Sequence, residues 1–366
     1  MLLSTKIFSG PGGIITLKYN VETNKEPDLF LSQVISKMKT NYFIGIIALV
    51  VFGVCLQGIF TFHEQKESLK KKIALLSKGE TDTVWRGAAA SQIPIYSSPE
   101  GQQIYYGYQL ISHTAAFLGP HGKVAPMANQ LNCQNCHLDA GTRPFANNFG
   151  KVMSTYPQYR ARNDKVQSLY DRINDCMVRS MNGKPLDTSS KEIKAMYAYI
   201  QWLDKDIPEK AVPGGTSLRK IPYMDTAANV ESGRQVFTAK CQVCHGTNGQ
   251  GQLNVTKTVY DYPPLWGPDS YNDGAGMFRL MKIANFVYSN MPYGTDYHHP
   301  ALTVEEAWNV GAYVNSQPRP HFDASQDWKD LHKKPIDYPY GPYADNFSEH
   351  QHKYGPYLPI IMAQNK

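Results

Sequence analysis

The order of apolar and polar residues divides the chain into an apolar segment, two helical regions and an irregular end. Residues 42–62 contain no charged side chain. At about 1.5 Å per helical residue this segment is long enough to cross a bilayer. The charged residues 63–80 that follow it predict a helical stalk. Beyond the stalk, the apolar residues Ile104, Tyr108 and Ile111 recur at helical spacing and predict one buried face.

Breaks in the periodic pattern predict the domain boundaries. Two regions of similar plan occupy residues 81–204 and 225–317, and a linker rich in Pro, Gly and charges joins them at 205–224. The remaining residues, 318–366, are rich in Pro and Tyr and show little periodicity. We expect this tail to wrap over the two domains.

Helix-start signals recur in the two domains in the same order. Ser98-Pro99 predicts the first turn of a helix, with serine as the cap. Ser189–Glu192 and Thr303–Glu306 both have the pattern of a capping box, and each precedes an apolar helix that carries an aromatic residue, Tyr199 or Tyr313. The two domains are therefore expected to be degenerate repeats of one unit.

Composition narrows the class of partner. The chain has 366 residues, of which 42% are hydrophobic and 19% charged, as in globular proteins with packed cores. Its formal net charge of +6 favours small anionic partners. Because its Lys and Arg residues are scattered and form no basic arm, we expect no nucleic-acid partner.

Four of the six cysteines belong to two Cys-x-x-Cys-His motifs. In such a motif the two thiols form thioethers to a porphyrin, and the histidine is the proximal iron ligand. A redox dithiol or half of a zinc site would not require a histidine directly after the second cysteine in both copies. We therefore predict two covalently bound haem c groups in an all-α protein with two class I cytochrome c domains in tandem. The residues of the two sites are Cys133, Cys136 and His137, and Cys241, Cys244 and His245.

Covalent haem attachment also predicts the orientation in the membrane. It requires export of the domains, so we expect a single-pass protein of the bacterial cytoplasmic membrane with its C-terminal domains in the periplasm or outside. No small-x-small cleavage site follows the apolar run, which favours an uncleaved signal anchor at 42–62. Residues 1–41 are then a cytoplasmic or mis-assigned leader. One hypothesis is that translation starts at Met38.

A distal ligand determines the potential and reactivity of each haem. Met291 is followed by Pro292, an arrangement common for the distal methionine of class I cytochromes, so it is the candidate in the second domain. Met277 and Met281 are rivals in a helix-like stretch.

The internal repeat gives a candidate for the first haem. Met291 precedes Tyr313 by 22 residues, and Cys176 precedes Tyr199 by 23. Cys176, which belongs to neither haem motif, thus occupies the position expected for a distal ligand. A small buried hydrophobe is the alternative for a free cysteine, and Met177 and Met181 are rival ligands.

The residues around Cys176 resemble those of a known family. Tyr156-Pro-Gln-Tyr-Arg160, Asp171-Arg-Ile-Asn-Asp-Cys176 and Arg179-Ser-Met-Asn-Gly-Lys184 resemble the dihaem thiosulfate dehydrogenases that form tetrathionate. The resemblance covers roughly residues 95–317.

This resemblance implies roles for particular residues. Cys176 would be the axial ligand of the active-site haem, and Arg162, Arg172 and Ser180 would line its anion site. Asn290 before Met291 implies a second haem with plain His/Met ligation. The expected iron ligands are then His137, Cys176, His245 and Met291.

The expected function is the coupling of two thiosulfate ions to tetrathionate, or the reverse, by one-electron transfer through two haems. An external cytochrome or respiratory complex would accept or donate the electrons. The alternative is a membrane-anchored dihaem electron-transfer cytochrome without its own substrate. A dihaem peroxidase is a weaker third possibility, because no peroxide-handling residues stand out.

Overall fold

The computed structural model describes residues 27–79, 84–94 and 98–364. It separates into two compact units, one ending at Gln65 and the other comprising Lys66–Lys366. The helices are α1 (Pro27–Gly79), α2 (Pro99–Ser112), α3 (Thr114–Leu118), α4 (Leu138–Gly141), α5 (Val152–Thr155), α6 (Leu169–Arg179), α7 (Lys191–Asp204), α8 (Val230–Lys240), α9 (Gln242–His245), α10 (Leu280–Asn290), α11 (Val304–Ser316), α12 (Glu349–Tyr354) and α13 (Leu358–Gln364). The strands are β1 (Gln158–Arg160), β2 (Lys165–Gln167), β3 (Gln252–Leu253) and β4 (Tyr260–Tyr262).

The apolar run lies within the long helix α1. Among the described residues, Ser36–Ser68 is the one helical stretch long and apolar enough to cross a membrane. Its large apolar side chains, such as Leu49 and Phe52, are exposed, which is what a lipid-facing helix requires. Of the expected leader 1–41, residues 1–26 lie outside the described part of the chain. The start at Met38 stays a prediction.

In the first domain, helices α2 and α7 pack across each other. Ser98 caps α2 as predicted, since its side chain accepts a hydrogen bond from the Gly101 amide (3.1 Å). Ile104, Leu110 and Ile111 of α2 are buried in the core.

The predicted capping box at Ser189–Glu192 is wrong by one residue. Ser190, not Ser189, caps α7 and accepts a hydrogen bond from the Ile193 amide. Glu192 is then the second residue of the helix rather than the third, which a capping box requires. Its carboxylate accepts a hydrogen bond from the Tyr106 hydroxyl instead (3.0 Å).

In the second domain, α8 packs against α11, and α11 also packs against α10. Here the predicted capping box is confirmed. The Thr303 hydroxyl accepts from the Glu306 amide (3.1 Å), and the Glu306 carboxylate accepts from the Thr303 amide (2.8 Å).

The helix crossing has the same construction in both domains. A Cβ atom on Gly107 of α2 would lie 1.9 Å from the Ala195 carbonyl oxygen, and one on Gly233 of α8 would lie 1.9 Å from the Asn309 carbonyl oxygen. The next contact in each crossing is the Cβ atom of Tyr199 or Tyr313, the aromatic residue that marked the repeat in the sequence. Each glycine therefore allows two helix backbones to touch.

In the described part of the chain the strands form two short antiparallel pairs, β1–β2 and β3–β4. In the first hairpin Arg160 lies opposite Lys165, and the turn between the strands contains Arg162. The hairpin therefore carries two arginines, whose orientation could not be predicted from sequence spacing alone.

The tail packs over both domains. Asp327 forms a two-pronged ion pair with Arg179 at the end of α6 (2.7 and 2.8 Å). In the second domain, the Tyr354 carbonyl accepts a hydrogen bond from the Ala228 amide (2.8 Å). The tail is mostly irregular, but it includes the short helices α12 and α13, which the sequence pattern did not indicate.

We expect Gly107→Ala or Gly233→Ala to lower the free energy of unfolding by about 2–3 kcal/mol, because the added methyl group forces two packed helix backbones apart. Chemical denaturation followed by circular dichroism measures the loss. Gly276→Ala is the control, since its Cβ would meet no atom within 4 Å. Equal stability of all three variants would contradict the tight crossing.

Candidate functional site

The first Cys-x-x-Cys-His motif lies directly before α4, beside a cleft. The His137 Nδ1 atom is hydrogen-bonded to the Asn147 carbonyl oxygen, so Nδ1 carries the proton and Nε2 remains free to bind a metal. Burial raises the pKa of Cys133 to about 11 and that of Cys136 to about 12. A redox dithiol needs the opposite shift in at least one thiol.

The cleft consists of two adjoining cavities, of about 310 and 290 Å³. Both are bounded by Cys133, His137 and Cys176. Apolar side chains line much of the first cavity: Ile111, Val152, Leu169, Met177, Met196 and Ile200. Two thiols for thioether bonds, a histidine with a free Nε2 and apolar walls suit covalent haem. Among the described residues, no group of three or more His, Cys, Asp or Glu is placed to hold another metal ion.

Helix α6 positions Cys176 in this cleft. The helix begins with a reciprocal capping box between Ser168 and Asp171. Arg172 and Cys176 are four residues apart and thus on the same face of α6. Burial opposes ionisation of the Cys176 thiol, but the charge of Arg172 and the interaction with His137 outweigh it and lower the pKa of the thiol to about 7. The Cys176 thiolate in turn raises the pKa of Arg172.

Arg162 and Ser180 line the second cavity together with Arg172 and Cys176. Ser180 ends α6, and its amide donates to the Cys176 carbonyl oxygen (2.8 Å). The structure therefore brings all four residues expected at the anion site to one cleft. Their roles in catalysis stay predictions.

Arg162 has a carboxylate partner that sequence reasoning did not identify. Its Nη2 atom lies 3.0 Å from Asp175 Oδ2, and both side chains are largely buried. Gln167 donates a second hydrogen bond to the same carboxylate (3.0 Å). Although burial opposes its ionisation, Asp175 has a lowered pKa because of Arg162 and these hydrogen bonds. The ion pair orients Arg162 and neutralises most of its charge.

Besides Arg172, two further cations line both cavities, and sequence reasoning assigned no role to either. Arg160 of β1 and Lys282 of α10 line both cavities, as does Arg172. Arg160 belongs to the Tyr-Pro-Gln-Tyr-Arg stretch that carried the family resemblance, so a signal for it existed. Lys282 belongs to the second domain, and no local pattern marks it.

The second motif has a comparable histidine. His245 Nδ1 is hydrogen-bonded to the Pro263 carbonyl oxygen (2.8 Å), and burial lowers the pKa of His245. Burial thus favours the neutral imidazole, although the hydrogen bond to Pro263 raises the pKa. The same hydrogen bond places the proton on Nδ1 and leaves Nε2 free, the form that binds iron. This motif is therefore also suited to haem.

Met291 directly follows α10 and packs in a small apolar cluster with Phe286 and Leu138. The neighbouring Asn290 is buried and donates to the Phe145 carbonyl oxygen (3.1 Å). The sulfur of the rival Met281 instead accepts a weak hydrogen bond from the Tyr223 hydroxyl (3.9 Å). Ligation by Met291 stays a prediction.

Matches to family models define the class of protein. Residues 123–208 match the model described as SoxA/TsdA, cytochrome c domain, and residues 230–318 match the model described as Cytochrome c. The chain is therefore a c-type cytochrome with two cytochrome c domains in tandem, as the two motifs predicted. Such domains imply covalently bound haem c.

Relatives identify the family within this class. The chain is 39% identical over 275 residues to thiosulfate dehydrogenase of Thiomonas intermedia, covering 74% of this chain and 84% of the relative. It is 36% identical over 255 residues to thiosulfate dehydrogenase of Psychrobacter arcticus, covering 68% and 75%. It belongs to the thiosulfate dehydrogenase family, which confirms the resemblance seen around Cys176.

A solved structure is also similar. The thiosulfate dehydrogenase of Marichromatium purpuratum in its as-isolated form aligns with a TM-score of 0.60 at 30% identity. The alignment covers 66% of this chain and 50% of that chain, so the present protein matches only half the length of that protein.

We expect Asp175→Asn to lower the free energy of unfolding at pH 7 by about 3 kcal/mol, because Arg162 loses its partner at a largely buried position. Since the pKa of Asp175 is lowered in the folded state, its contribution is present above its ordinary pKa and is lost as the pH falls through the lowered value. The variant should therefore lose less stability than the wild type on acidification. Denaturation at several pH values, with exposed Asp206→Asn as the control, tests this. Equal losses of stability in Asp175→Asn and Asp206→Asn would contradict this role of the ion pair.

Proposed function

We propose that this protein is a dihaem c-type cytochrome that joins two thiosulfate ions into tetrathionate, or carries out the reverse reaction, by one-electron steps. The proposal rests on the position of Cys176. Its ionisable thiol lies beside His137, in a cleft bounded by several cations. Cations near a haem can also pair with its own carboxylates, but a cytochrome that only transfers electrons has no need of an ionisable thiol among them.

Covalent haem at the two sites would supply one-electron redox chemistry. The Cys176 thiolate would lower the reduction potential of the iron at the first site, and the Met291 thioether would raise it at the second. His137 and His245, oriented through their Nδ1 hydrogen bonds, would be the proximal ligands. In the direction of oxidation, this order favours electron flow from the first domain to the second.

The reaction needs no proton transfer. Two thiosulfate dianions each lose one electron, a sulfur–sulfur bond forms between their terminal sulfur atoms, and tetrathionate carries the remaining two negative charges. The obstacle is electrostatic, since two dianions with charge centres about 5 Å apart repel by about 3 kcal/mol even in a medium as polar as water. The reverse reaction uses the same residues.

Arg172 is suited to offset this repulsion. It lies one helical turn from Cys176, and its guanidinium group offers several donors in a fixed geometry that matches sulfonate oxygens. Arg162, held in place by Asp175, and the Ser180 hydroxyl would add further hydrogen bonds. The residues would thus hold the substrate sulfur next to Cys176.

The location and partners of the protein are part of the proposal. α1 would anchor the chain in the bacterial cytoplasmic membrane through a single span, with the cytochrome domains in the periplasm or outside. An external cytochrome or respiratory complex would exchange electrons with the second haem.

Cys176→Gly should reduce thiosulfate oxidation at least 100-fold, as is typical when a group at the reacting centre is lost. Ferricyanide reduction at saturating thiosulfate measures the rate, and the haem content of the variant confirms that assembly is intact. The buried Met181→Leu substitution on the same cavity wall is the control. A fully active Cys176→Gly protein that retains haem would refute the proposed role of the thiol.

Replacing both motif cysteines of one site by alanine should remove one haem and leave the other. The double variants Cys133→Ala/Cys136→Ala and Cys241→Ala/Cys244→Ala should each have half the haem-to-protein ratio of the wild type, measured by the pyridine haemochrome spectrum. Only the first is expected to lose thiolate-ligated haem. A wild-type ratio of one haem per chain would contradict the dihaem proposal.

A further inference from the structure

The distribution of charge in the cleft is uneven. Arg162, Arg179 and Arg279 line the second cavity, and each has its own carboxylate partner, Asp175, Asp327 or Asp337. Arg160, Arg172 and Lys282 line both cavities. Within residues 84–94 and 98–364, no carboxylate lies in ion-pair range of these three side chains. They are therefore positive charges without a carboxylate partner in this part of the chain, and they line both cavities.

Lys282 differs from the other two because it comes from the second domain. It lies in the first turn of α10, and the segment before this helix is fastened to the first domain. The Asn272 side chain donates to the Val178 carbonyl oxygen (2.9 Å), and Tyr271 and Phe278 are buried in the core of the first domain. These contacts hold Lys282 at the cleft although its domain carries the other haem motif.

The nearest acidic group cannot neutralise Lys282. Asp337 is fully buried, and it already accepts hydrogen bonds from Arg279 Nε (2.8 Å) and from the Met281 amide (3.1 Å). Lys282 is exposed to solvent, and it lines both cavities. The protein packed around it, and to a lesser degree the charge of Arg279, lower the pKa of Lys282 to about 8. A bound anion would favour the charged form of the lysine.

We propose that Lys282 is an anion-binding residue of the catalytic cleft, and that it holds the second of the two thiosulfate ions, or the far sulfonate group of tetrathionate. This inference rests on the proposed function and names a residue of the same site. The charge balance supports it. Two thiosulfate ions bring four negative charges next to the Cys176 thiolate, and Arg160 and Arg172 supply only two positive charges while Arg162 is paired with Asp175.

The assignment is tested with the full-length holoprotein. Lys282→Gln should raise the KM for thiosulfate about tenfold or more, because one charge-assisted hydrogen bond to the anion is lost, while kcat changes less than about threefold. Lys282→Arg, which retains the charge, should stay close to the wild type. Lys194→Gln is the matched control, because it removes the same charge from the surface of the first domain. Unchanged KM in Lys282→Gln would overturn the proposal.

A binding measurement separates this inference from the proposed function. Tetrathionate is titrated calorimetrically into the fully oxidised protein, which has no electrons with which to reduce it, and Lys282→Gln should bind it about tenfold more weakly. If the wild type oxidises thiosulfate and binds tetrathionate but Lys282→Gln does both equally well, only the inference on Lys282 fails. If the wild type does neither, both fail. If Lys282→Gln changes only the midpoint potential of the first haem, the lysine interacts with the haem's own carboxylates and the inference is overturned.

Discussion

The site depends on an excess of positive charge around one buried thiol. Burial alone would keep Cys176 neutral, but Arg172, four residues away on the same helical face, favours the thiolate. The Asp175 carboxylate of the cleft already forms an ion pair with another arginine, Arg162. What remains is a cleft that attracts small anions and holds them next to a sulfur atom. Catalysis of thiosulfate coupling, as proposed here, requires both properties together.

The second domain and the tail complete this cleft. Helix α10 supplies Lys282 in its first turn and is followed directly by Met291, which is the proposed ligand of the second haem. Nine residues of helix span about 14 Å, so one rigid element connects the anion site with the second haem site. The tail fastens the end of α6 through Asp327 and Arg179. The first domain by itself would lack these parts of the cleft.

Sequence reasoning was most successful where the chemistry is local. The two haem motifs, the fold class and the capping box at Thr303 were predictable because each depends on neighbouring residues. The predicted box ending at Glu192 failed because the helix is capped by Ser190, one residue later than the pattern indicated. The ion pair of Arg162 and the position of Lys282 could not be predicted for a different reason. Both depend on how separate segments pack, and no spacing rule encodes that.

The central claim is that Cys176 coordinates the iron of the first haem opposite His137. The near-infrared magnetic circular dichroism spectrum of the fully oxidised protein tests this most directly, because thiolate-ligated and His/Met-ligated low-spin haems have distinct charge-transfer bands. We predict both bands in the wild type and the loss of the thiolate band alone in Cys176→Ala. A wild-type spectrum without a thiolate band, unchanged by the substitution, would contradict the account.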